Sequence, residues 1–248
     1  MFMNLPIVSV ILPCYNQGHF LSEALGSIQY LDASFAEVII VNDGSTDEET
    51  IALLNQLKQE GRHVIFQENG GLGHARNVGI AASKGKYILP LDADNKIRKG
   101  YVEKAIEVLE QNKSVAVVYS DCALFGAQQG IQVQGEFNLQ RLMLGNFIDA
   151  CAVIRKDVLL EVGCYDQMKI MGYEDWDLWL RIAFAGHRFH YLAEALFEYR
   201  VTEHTVYRLK KNPVRFFMRL LEKKYFPERY QRKIDANKIY AGNFTYKF

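Results

Sequence analysis

The chain has 248 residues, of which 49% are hydrophobic and 23% are charged, and these proportions exclude an intrinsically disordered protein. Lysine and arginine together number 29, as do aspartate and glutamate, and this neutral balance argues against a nucleic-acid-binding protein. The sequence contains neither a secretory signal nor a run of the ~20 apolar residues that span a bilayer, so we expect a globular protein of the cytoplasm.

The first ninety residues alternate short β-branched runs with helical patterns. Apolar runs bounded by turn residues predict buried strands at residues 7–12, 38–41, 64–66 and 87–91. Between them, apolar residues recur at helical spacing over residues 20–28, 51–57 and 75–81. Because strands and helices alternate, the sequence predicts an α/β protein with a mostly parallel central sheet and helices on both faces.

The pattern is less regular after the fourth predicted strand. A helix is predicted over residues 101–109 and a strand over residues 115–119. The stretch at residues 126–135 is rich in Gly and Gln and is either a hairpin or a mobile loop. An acidic cluster at residues 174–177 opens a further helix that runs toward Ala185.

Residues 207–248 form a separate, basic segment. Twelve basic and three acidic residues give it a net charge of +9, which leaves −9 for residues 1–206. Over residues 213–233, Phe, Leu and Tyr interleave with Arg and Lys, which predicts a basic amphipathic helix. This helix either contacts the inner face of a membrane, or it packs on the acidic domain or forms a dimer seam.

Ligands of open α/β sheets bind outside the carboxyl ends of the strands, so the residues after each strand are site candidates. Here these segments are polar or rich in glycine, at residues 13–16, 42–47, 68–73 and 91–95. Each segment alone is also an ordinary turn or helix-cap sequence. Asp92 and Asp94 face one side of an extended segment, so they either address one divalent cation together or form a solvated acidic turn.

Five segments carry a resemblance when they are taken together in chain order. They are SVILPCYN from Ser9, VNDGSTD ending at Asp47, GGLGHARNVGI from Gly70, LPLDADN ending at Asn95 and GYEDWDLWLR from Gly172. The set resembles the family 2 glycosyltransferases of the GT-A fold, and a chance match to all five is far rarer than a match to one. The resemblance implies a GT-A domain over residues 1–206 with a C-terminal helical extension. Its nucleotide-binding half would cover residues 1–97 and its acceptor half residues 98–206.

The resemblance implies a nucleotide-sugar site built mainly from the first half. Pro13, Tyr15 and Asp43 would surround a uracil or similar ring. This agrees with their chemistry, because Tyr15 can stack on a base and Asp43 can accept a hydrogen bond from a ring N–H. The other donor-site residues that we expect are Asn16, Asn69, Gly71, Arg76 and Asp92.

Arg76 has an unusual position for a cation, in the first turn of a predicted helix, where it opposes the helix dipole. A partner anion would explain this position. The anion is either the bound donor or a carboxylate of the chain, with Asp43 and Asp92 as the candidates, and a plain surface arginine is the remaining alternative.

The resemblance also implies a divalent cation, Mn²⁺ or Mg²⁺, that bridges the donor diphosphate. Asp94 would ligate this cation, and Asp92 would contact the ribose or a metal-bound water. His204 follows a Tyr-Arg pair near the end of the domain and would be a third metal ligand or a contact to the diphosphate.

Glu174 and Asp175 match the motif that supplies the general base in inverting members of the family. Asp175 would deprotonate the acceptor hydroxyl, and Glu174 would help to bind the acceptor. The same carboxylates, with Asp177, also suit the first turn of a helix. Trp176 and Trp179 would divide between core packing and a flat face for a sugar ring.

The resemblance implies an inverting, metal-dependent hexosyltransferase of polysaccharide biosynthesis. It would move a sugar from a nucleotide diphosphate sugar, UDP-linked, to a glycan or lipid-linked acceptor. The chain lacks the QxxRW-type motif of processive synthases, which favours the addition of a single sugar. Two alternatives stay open: an inactive partner subunit that binds nucleotide sugars, and a sugar-phosphate nucleotidyltransferase. Against the nucleotidyltransferase, this chain lacks the glycine-rich loop that such enzymes carry after the first strand.

Overall fold

A computed structural model of the chain describes residues 5–166, 172–202 and Lys224. The chain divides into two units, Met1–Thr202 and Glu203–Phe248, and every helix and strand named below belongs to the first unit. The predicted tail helix over residues 213–233 lies outside the described residues, apart from Lys224. In the described part of the chain, no helix is long and apolar enough to cross a membrane.

The described residues form nine strands and seven α-helices. The strands are β1 (Val8–Cys14), β2 (Ala36–Asp43), β3 (His63–Gln67), β4 (Tyr87–Pro90), β5 (Lys96–Ile97), β6 (Val115–Gly126), β7 (Gly130–Gln132), β8 (Val153–Arg155) and β9 (Arg188–Val201). The helices are α1 (Gly18–Ile28), α2 (Glu48–Gln59), α3 (Leu72–Ala82), α4 (Tyr101–Gln111), α5 (Leu139–Leu144), α6 (Lys156–Glu161) and α7 (Glu174–Phe184).

The strands join in one mixed sheet with the order β3-β2-β1-β4-β8-β6-β9-β5, and β7 pairs with β6. The first four strands in this order, β3, β2, β1 and β4, are parallel to one another, as the alternation of strands and helices predicts. Strand β8 runs antiparallel to both β4 and β6, whereas β9 runs parallel to β6. The sheet is therefore parallel in the half that holds the first motifs and mixed in the other half.

Strand β1 occupies the centre of the parallel half and is buried at all seven positions. A strand that is covered on both faces needs apolar residues on both, which explains its apolar run, interrupted only by the buried Ser9. Helix α3 packs closely against this strand. A Cβ added at Gly79 of α3 would lie 2.3 Å from Cγ2 of Ile11, so only glycine permits this approach.

The second half contains two strands that extend beyond the sequence prediction. Of the two alternatives for residues 126–135, the structure has the hairpin, because β6 continues to Gly126 and pairs with β7. Strand β9 was not predicted from the sequence. Most of its residues are only half-buried, and register shifts interrupt its pairing with β6, so the apolar alternation that marks a strand is weak.

Candidate functional site

Asp43, the last residue of β2, holds the glycine loop that follows β3. Its Oδ1 accepts hydrogen bonds from Nε2 of Gln67 at 2.7 Å and from the backbone N–H of Gly70 at 2.8 Å. Its Oδ2 accepts from the N–H of Gly71 at 3.0 Å, and Nδ2 of Asn69 donates to the Asp43 carbonyl at 2.9 Å. Because a carboxylate offers about four acceptor positions, about one remains for a ligand N–H.

Gln67 is a neighbour of this loop that the sequence motifs do not mark. Its Nε2 lies 2.7 Å from Oδ1 of Asp43 and 2.9 Å from Nδ1 of His74. The carboxylate can only accept, which fixes the Gln67 amide with its nitrogen toward Asp43. Nδ1 of His74 then accepts from that nitrogen, and its Nε2 carries the proton in the neutral ring.

Asn16 joins the loop after β1 to the loop after β2. It has a positive φ of 55°, and its Oδ1 accepts from the N–H groups of Thr46 at 2.8 Å and Asp47 at 3.0 Å. Its own N–H donates to Oγ of Ser45 at 3.0 Å. The neighbouring Tyr15 is 45% exposed, so its ring is accessible at this edge of the sheet.

Pro13 is buried in β1 and Gly71 is the N-cap residue of α3, with φ of 87°. The backbone N–H of Gly71 points to Asp43, so this donor is already occupied. The expected donor-site residues described so far thus lie at the carboxyl ends of β1 and β2 or in the loops that follow β1 and β3. Several of them hold these loops together through the bonds just described.

Arg76 of α3 is 1% exposed and joins two motifs that are distant in the sequence. Its guanidinium contacts Oδ1 of Asp92 at 2.7 Å and Oε1 of Glu174 at 2.9 Å, and its carbon lies 5.2 Å from the ring centroid of Tyr165. Burial alone would lower the pKa of Arg76, but Asp92, Tyr165 and Glu174 outweigh it and hold this pKa raised. Of the predicted partners, Asp92 is therefore the one that Arg76 contacts.

Glu174 is 5% exposed, and both of its oxygens are bonded. Oε1 meets Arg76, and Oε2 accepts from the N–H of Gly172 at 2.8 Å. Arg76 therefore forms a bridge between the loop after β4 and the start of α7. This bridge places the Asp-Ala-Asp and Glu-Asp motifs beside each other, as a single site requires.

Asp94 lies in the loop after β4, which β9 holds in place. Nε of Arg200 donates to the Asp94 carbonyl at 3.0 Å, and the Arg200 N–H donates to Oδ1 of Asn95 at 2.9 Å. Burial, and then the charge of Asp92, raise the pKa of Asp94 to about 6.

Asp149, just before β8, is a third carboxylate of this group and was missed by the sequence analysis. Burial, and then the charge of Asp92, raise its pKa to about 7, and Asp94 also contributes. It accepts from the Cys151 N–H at 2.8 Å. It belongs to none of the five motifs, and an isolated Asp before an apolar run gives no sequence signal.

The carboxylates after β4 fit a divalent cation by their chemistry. Asp92 and Asp94 supply the oxygen ligands that Mg²⁺ and Mn²⁺ prefer. After burial, the charge of Asp92 is the second cause of the raised pKa of Asp94, and a cation would neutralise that charge. Over residues 5–166 and 172–202, no three His, Cys, Asp or Glu residues group as a metal site. Two carboxylates suffice for Mg²⁺ when substrate phosphates complete the ligand set. The predicted third ligand, His204, lies outside the described residues.

Asp175 lies in the first turn of α7 with a hydrogen bond at each carboxylate oxygen. Oδ1 accepts from the N–H of Trp176 at 2.7 Å, and Oδ2 accepts from Nδ2 of Asn146 at 2.9 Å. Burial raises the pKa of Asp175 well above its usual value, and Glu174 and Asp149 raise it further. This carboxylate is consequently a stronger base than an exposed aspartate.

Trp176 and Trp179 both belong to the core, so neither provides the expected flat face for a sugar. They are fully buried, and their Nε1 atoms donate to the carbonyls of Leu142 at 2.6 Å and Ile148 at 2.9 Å. These bonds fix the segment before β8 against α7. Two residues three apart in a helix lie on the same face, so the spacing of the two Trp residues is consistent with a single buried face.

Comparison with known proteins agrees with the arrangement of these motifs. The family model described as glycosyl transferase family 2 matches residues 9–163. An uncharacterized glycosyltransferase of Rickettsia prowazekii is 31% identical over 192 residues, which cover 71% of this chain and 58% of that protein. A putative teichuronic acid biosynthesis glycosyltransferase of Bacillus subtilis, TuaG, is 29% identical over 209 residues, or 81% of each chain. The chain thus spans less than two thirds of the Rickettsia relative.

Solved structures with the same fold include two sugar-nucleotide complexes. TarS of S. aureus, residues 1–349 in complex with UDP-GlcNAc, matches with a TM-score of 0.67 and 22% identity, over 79% of this chain and 59% of that one. The mannosyltransferase PcManGT of Pyrobaculum calidifontis, in complex with GDP-Man and Mn²⁺, has a TM-score of 0.63 and 18% identity, over 84% of this chain and 61% of that one. These likenesses confirm the fold class that the motifs imply.

Proposed function

Because the chain belongs to glycosyl transferase family 2, we propose that it moves a single sugar from a UDP-linked donor to a glycan or lipid-linked acceptor, with inversion and with the help of a divalent cation. The observation that supports this most is the buried bridge of Arg76 to Asp92 and Glu174. This bridge brings Asp92 and Asp94, which would bind the divalent cation of the donor diphosphate, close to the candidate base, Asp175.

The donor nucleotide would lie at the edge formed by the loops after β1, β2 and β3. The accessible ring of Tyr15 can stack on the base, and the remaining acceptor position of Asp43 can receive its ring N–H. A uracil offers one such ring N–H, and TarS supports this choice because its complex holds UDP-GlcNAc.

Asp94, together with Asp92, would hold the divalent cation. When bound, the cation neutralises the negative charge of the diphosphate leaving group. The Mn²⁺ in the complex of PcManGT supports this assignment. Arg200 and Asn95 keep the Asp94 loop against β9, so the backbone that carries Asp94 is held at the site before any ligand binds.

Asp175 would accept the proton of the acceptor hydroxyl as the new glycosidic bond forms. Its raised pKa increases its strength as a base, and its two hydrogen bonds fix where its oxygens lie. Attack on the sugar from the side opposite the leaving group inverts the anomeric centre, which needs one base and no covalent intermediate on the protein. Glu174 would support this step by orienting Arg76 and the start of α7.

The acceptor and the location of the enzyme are proposed from the name of one relative and from the charge of the C-terminal segment. The name of the TuaG relative supports a role in polysaccharide biosynthesis. The basic segment at residues 213–233 supports contact with the inner face of a membrane or dimerisation. Family membership removes the support for a nucleotidyltransferase, and an inactive binding subunit is distinguished by the experiment below.

The first experiment is calorimetric binding of UDP, GDP, dTDP and CMP, with and without Mn²⁺, to the wild type and to Asp94→Ala. We expect Mn²⁺ to tighten the binding of UDP in the wild type and to have no effect in the variant. Absence of binding for all four nucleotides would contradict the proposal. Binding of UDP without release of UDP from UDP-sugars in the presence of acceptor extracts would favour the inactive subunit.

A further inference from the structure

A segment that lies outside all five motifs is fastened across the start of α7. This segment, residues 138–149, comprises α5 and the loop that leads to β8, and we call it the strap. The buried indole nitrogens of Trp176 and Trp179 donate to strap carbonyls, those of Leu142 and Ile148. The strap backbone is therefore fixed relative to the helix that carries Asp175.

Asn146 is the strap residue that reaches the Asp175 carboxylate. Its Nδ2 donates to Oδ2 of Asp175 at 2.9 Å, and its Oδ1 accepts from the N–H of Ile148 at 3.2 Å. The two partners fix the orientation of the amide, because a carboxylate cannot donate and a backbone N–H cannot accept. Asn146 thus presents a donor, and only a donor, to Asp175.

The bond from Asn146 controls the plane of the Asp175 carboxylate. The other oxygen, Oδ1, is held by the N–H of Trp176, the next residue in the chain. One bond leaves the carboxylate free to turn about its Cβ–Cγ axis, whereas a bond at each oxygen fixes it. The terminal torsion of Asp is broad, so such a constraint is needed to define it.

The surroundings of Asp175 oppose its ionisation, apart from one cation. Glu174 and Asp149 face it with negative charge, Arg76 faces it with positive charge, and the phenol of Tyr165 lies within its electrostatic reach. Donors at the carboxylate oxygens are the remaining groups that favour the charged form. The Asn146 amide is one of these few donors.

We propose that Asn146 is a positioning residue for the transfer reaction, whose amide holds the Asp175 carboxylate in the orientation that receives the acceptor proton. The inference rests on the proposed role of Asp175 as the base. Asn146 itself is exposed. Because an exposed hydrogen bond contributes little to the free energy of folding, we expect its loss to change stability only slightly. Its effect is expected at Asp175 instead.

The test is a titration of the Asp175 side-chain carboxyl by ¹³C NMR in the wild type, Asn146→Ala and Asn146→Asp, with Asp175→Asn to assign the signal. Loss of the amide donor removes a bond to the charged form, so we expect the midpoint to rise by about one pH unit in Asn146→Ala. We expect a larger rise in Asn146→Asp, because it adds a like charge while it keeps an acceptor for the Ile148 N–H.

The matched control is Asn138→Ala, which makes the same change at the other end of the strap. Asn138 caps α5 through its bond to the Arg141 N–H and has no described contact with Asp175. It should leave the Asp175 midpoint in place. An unchanged midpoint in both Asn146 variants, or an equal rise in Asn138→Ala, would overturn the inference.

A kinetic measurement separates orientation from charge. With sugar conjugates of the nucleotide that binds in the calorimetric panel, Asn146→Ala should lower kcat for release of the nucleotide about tenfold even at a pH where Asp175 is ionised, with KM for the donor unchanged. Full kcat at that pH would overturn the positioning role. Full turnover by Asp175→Asn would instead contradict the proposed base, while the titration still decides whether Asn146 acts on Asp175.

Discussion

The guanidinium of Arg76 lies in the protein interior, where an unpaired charge would be very unfavourable. Arg76 is fully buried between Asp92 and Glu174, and its bond to Glu174 in particular lies out of reach of water. A buried charge with both partners in place contributes little net stability, but the removal of one member leaves the others uncompensated. The bridge is therefore sensitive to any single change.

We expect Arg76→Ala to lower the free energy of unfolding by about 3–5 kcal/mol, because the buried carboxylate of Glu174 and the partly buried carboxylate of Asp92 lose their cation. Urea unfolding at pH 7 measures this loss. Arg98→Ala is the control, since Arg98 pairs with Glu198 at the surface, and it should cost no more than ~1 kcal/mol. Equal, small losses in both variants would show that the bridge is not a buried ion pair in solution.

The raised pKa of Asp94 predicts a pH-dependent stability. A carboxyl with a raised pKa disfavours folding when it is ionised, so its contribution is favourable at low pH and is lost as the pH rises through about 6. Asp94→Asn removes this loss. We expect the variant to be more stable than the wild type at pH 8, on the order of 1 kcal/mol, and to lose this advantage at pH 4.

The measurement is urea unfolding of both proteins, without added metal, at several pH values between 4 and 8. Glu107→Gln serves as the control because Glu107 is exposed and its carboxylate accepts a hydrogen bond from the neutral Gln111. Its stability difference from the wild type should not change with pH to the same extent. An Asp94→Asn variant that is less stable at pH 8 than the wild type would contradict the assignment.

At the scale of elements, the contact of α3 with β1 determines where the glycine loop and Arg76 lie. Gly79 permits this contact because it has no side chain. Gly79→Ala should destabilise the protein by about 1–3 kcal/mol, because the new Cβ would meet the buried side chain of Ile11, and this outweighs the gain in helix propensity.

Gly26→Ala provides the comparison for this prediction. Gly26 lies in α1, is exposed and has no atom within 4 Å of an added Cβ. The same substitution should there stabilise the protein by about 0.5–1 kcal/mol. Thermal unfolding of the two variants checks the opposite signs, and a stabilised Gly79→Ala protein would contradict the close packing of α3 on β1.

The elements also explain how far the sequence could predict the fold. The parallel half was predictable because strands that are buried on both faces consist of continuous apolar runs, as in β1. The antiparallel direction of β8 could not be predicted, because a run of three buried residues does not indicate in which direction a strand runs. The motif residues were found from the same strand ends. Asn146 and Asp149 were missed because their place in the site depends on how the strap packs on α7.

The charge of the whole molecule is divided along the chain. Residues 207–248 carry a net charge of +9 and residues 1–206 carry −9. Exposed charges act over about one Debye length, which is ~8 Å at physiological salt. Their attraction to an anionic surface should therefore depend strongly on ionic strength.

We expect the full-length protein to sediment with vesicles that contain anionic lipid at low salt and to be released by 0.5 M NaCl. Neutral vesicles are the control, and Arg215→Glu with Arg219→Glu should abolish the binding. Failure to bind anionic vesicles at low salt would favour the alternatives of dimerisation or packing on the domain. Sedimentation velocity distinguishes these two.

The bridge of Arg76 also limits how proteins of this type can be recombined. In a chimera that takes everything after residue 98 from a relative, the junction would separate Arg76 and Asp92 from Glu174. An incoming half without a carboxylate at that place would leave a guanidinium charge with one partner in the interior. Residues 1–97 can therefore accept a foreign second part only if that part brings its own counter-charge, which is a simple rule for choosing parents in such an exchange.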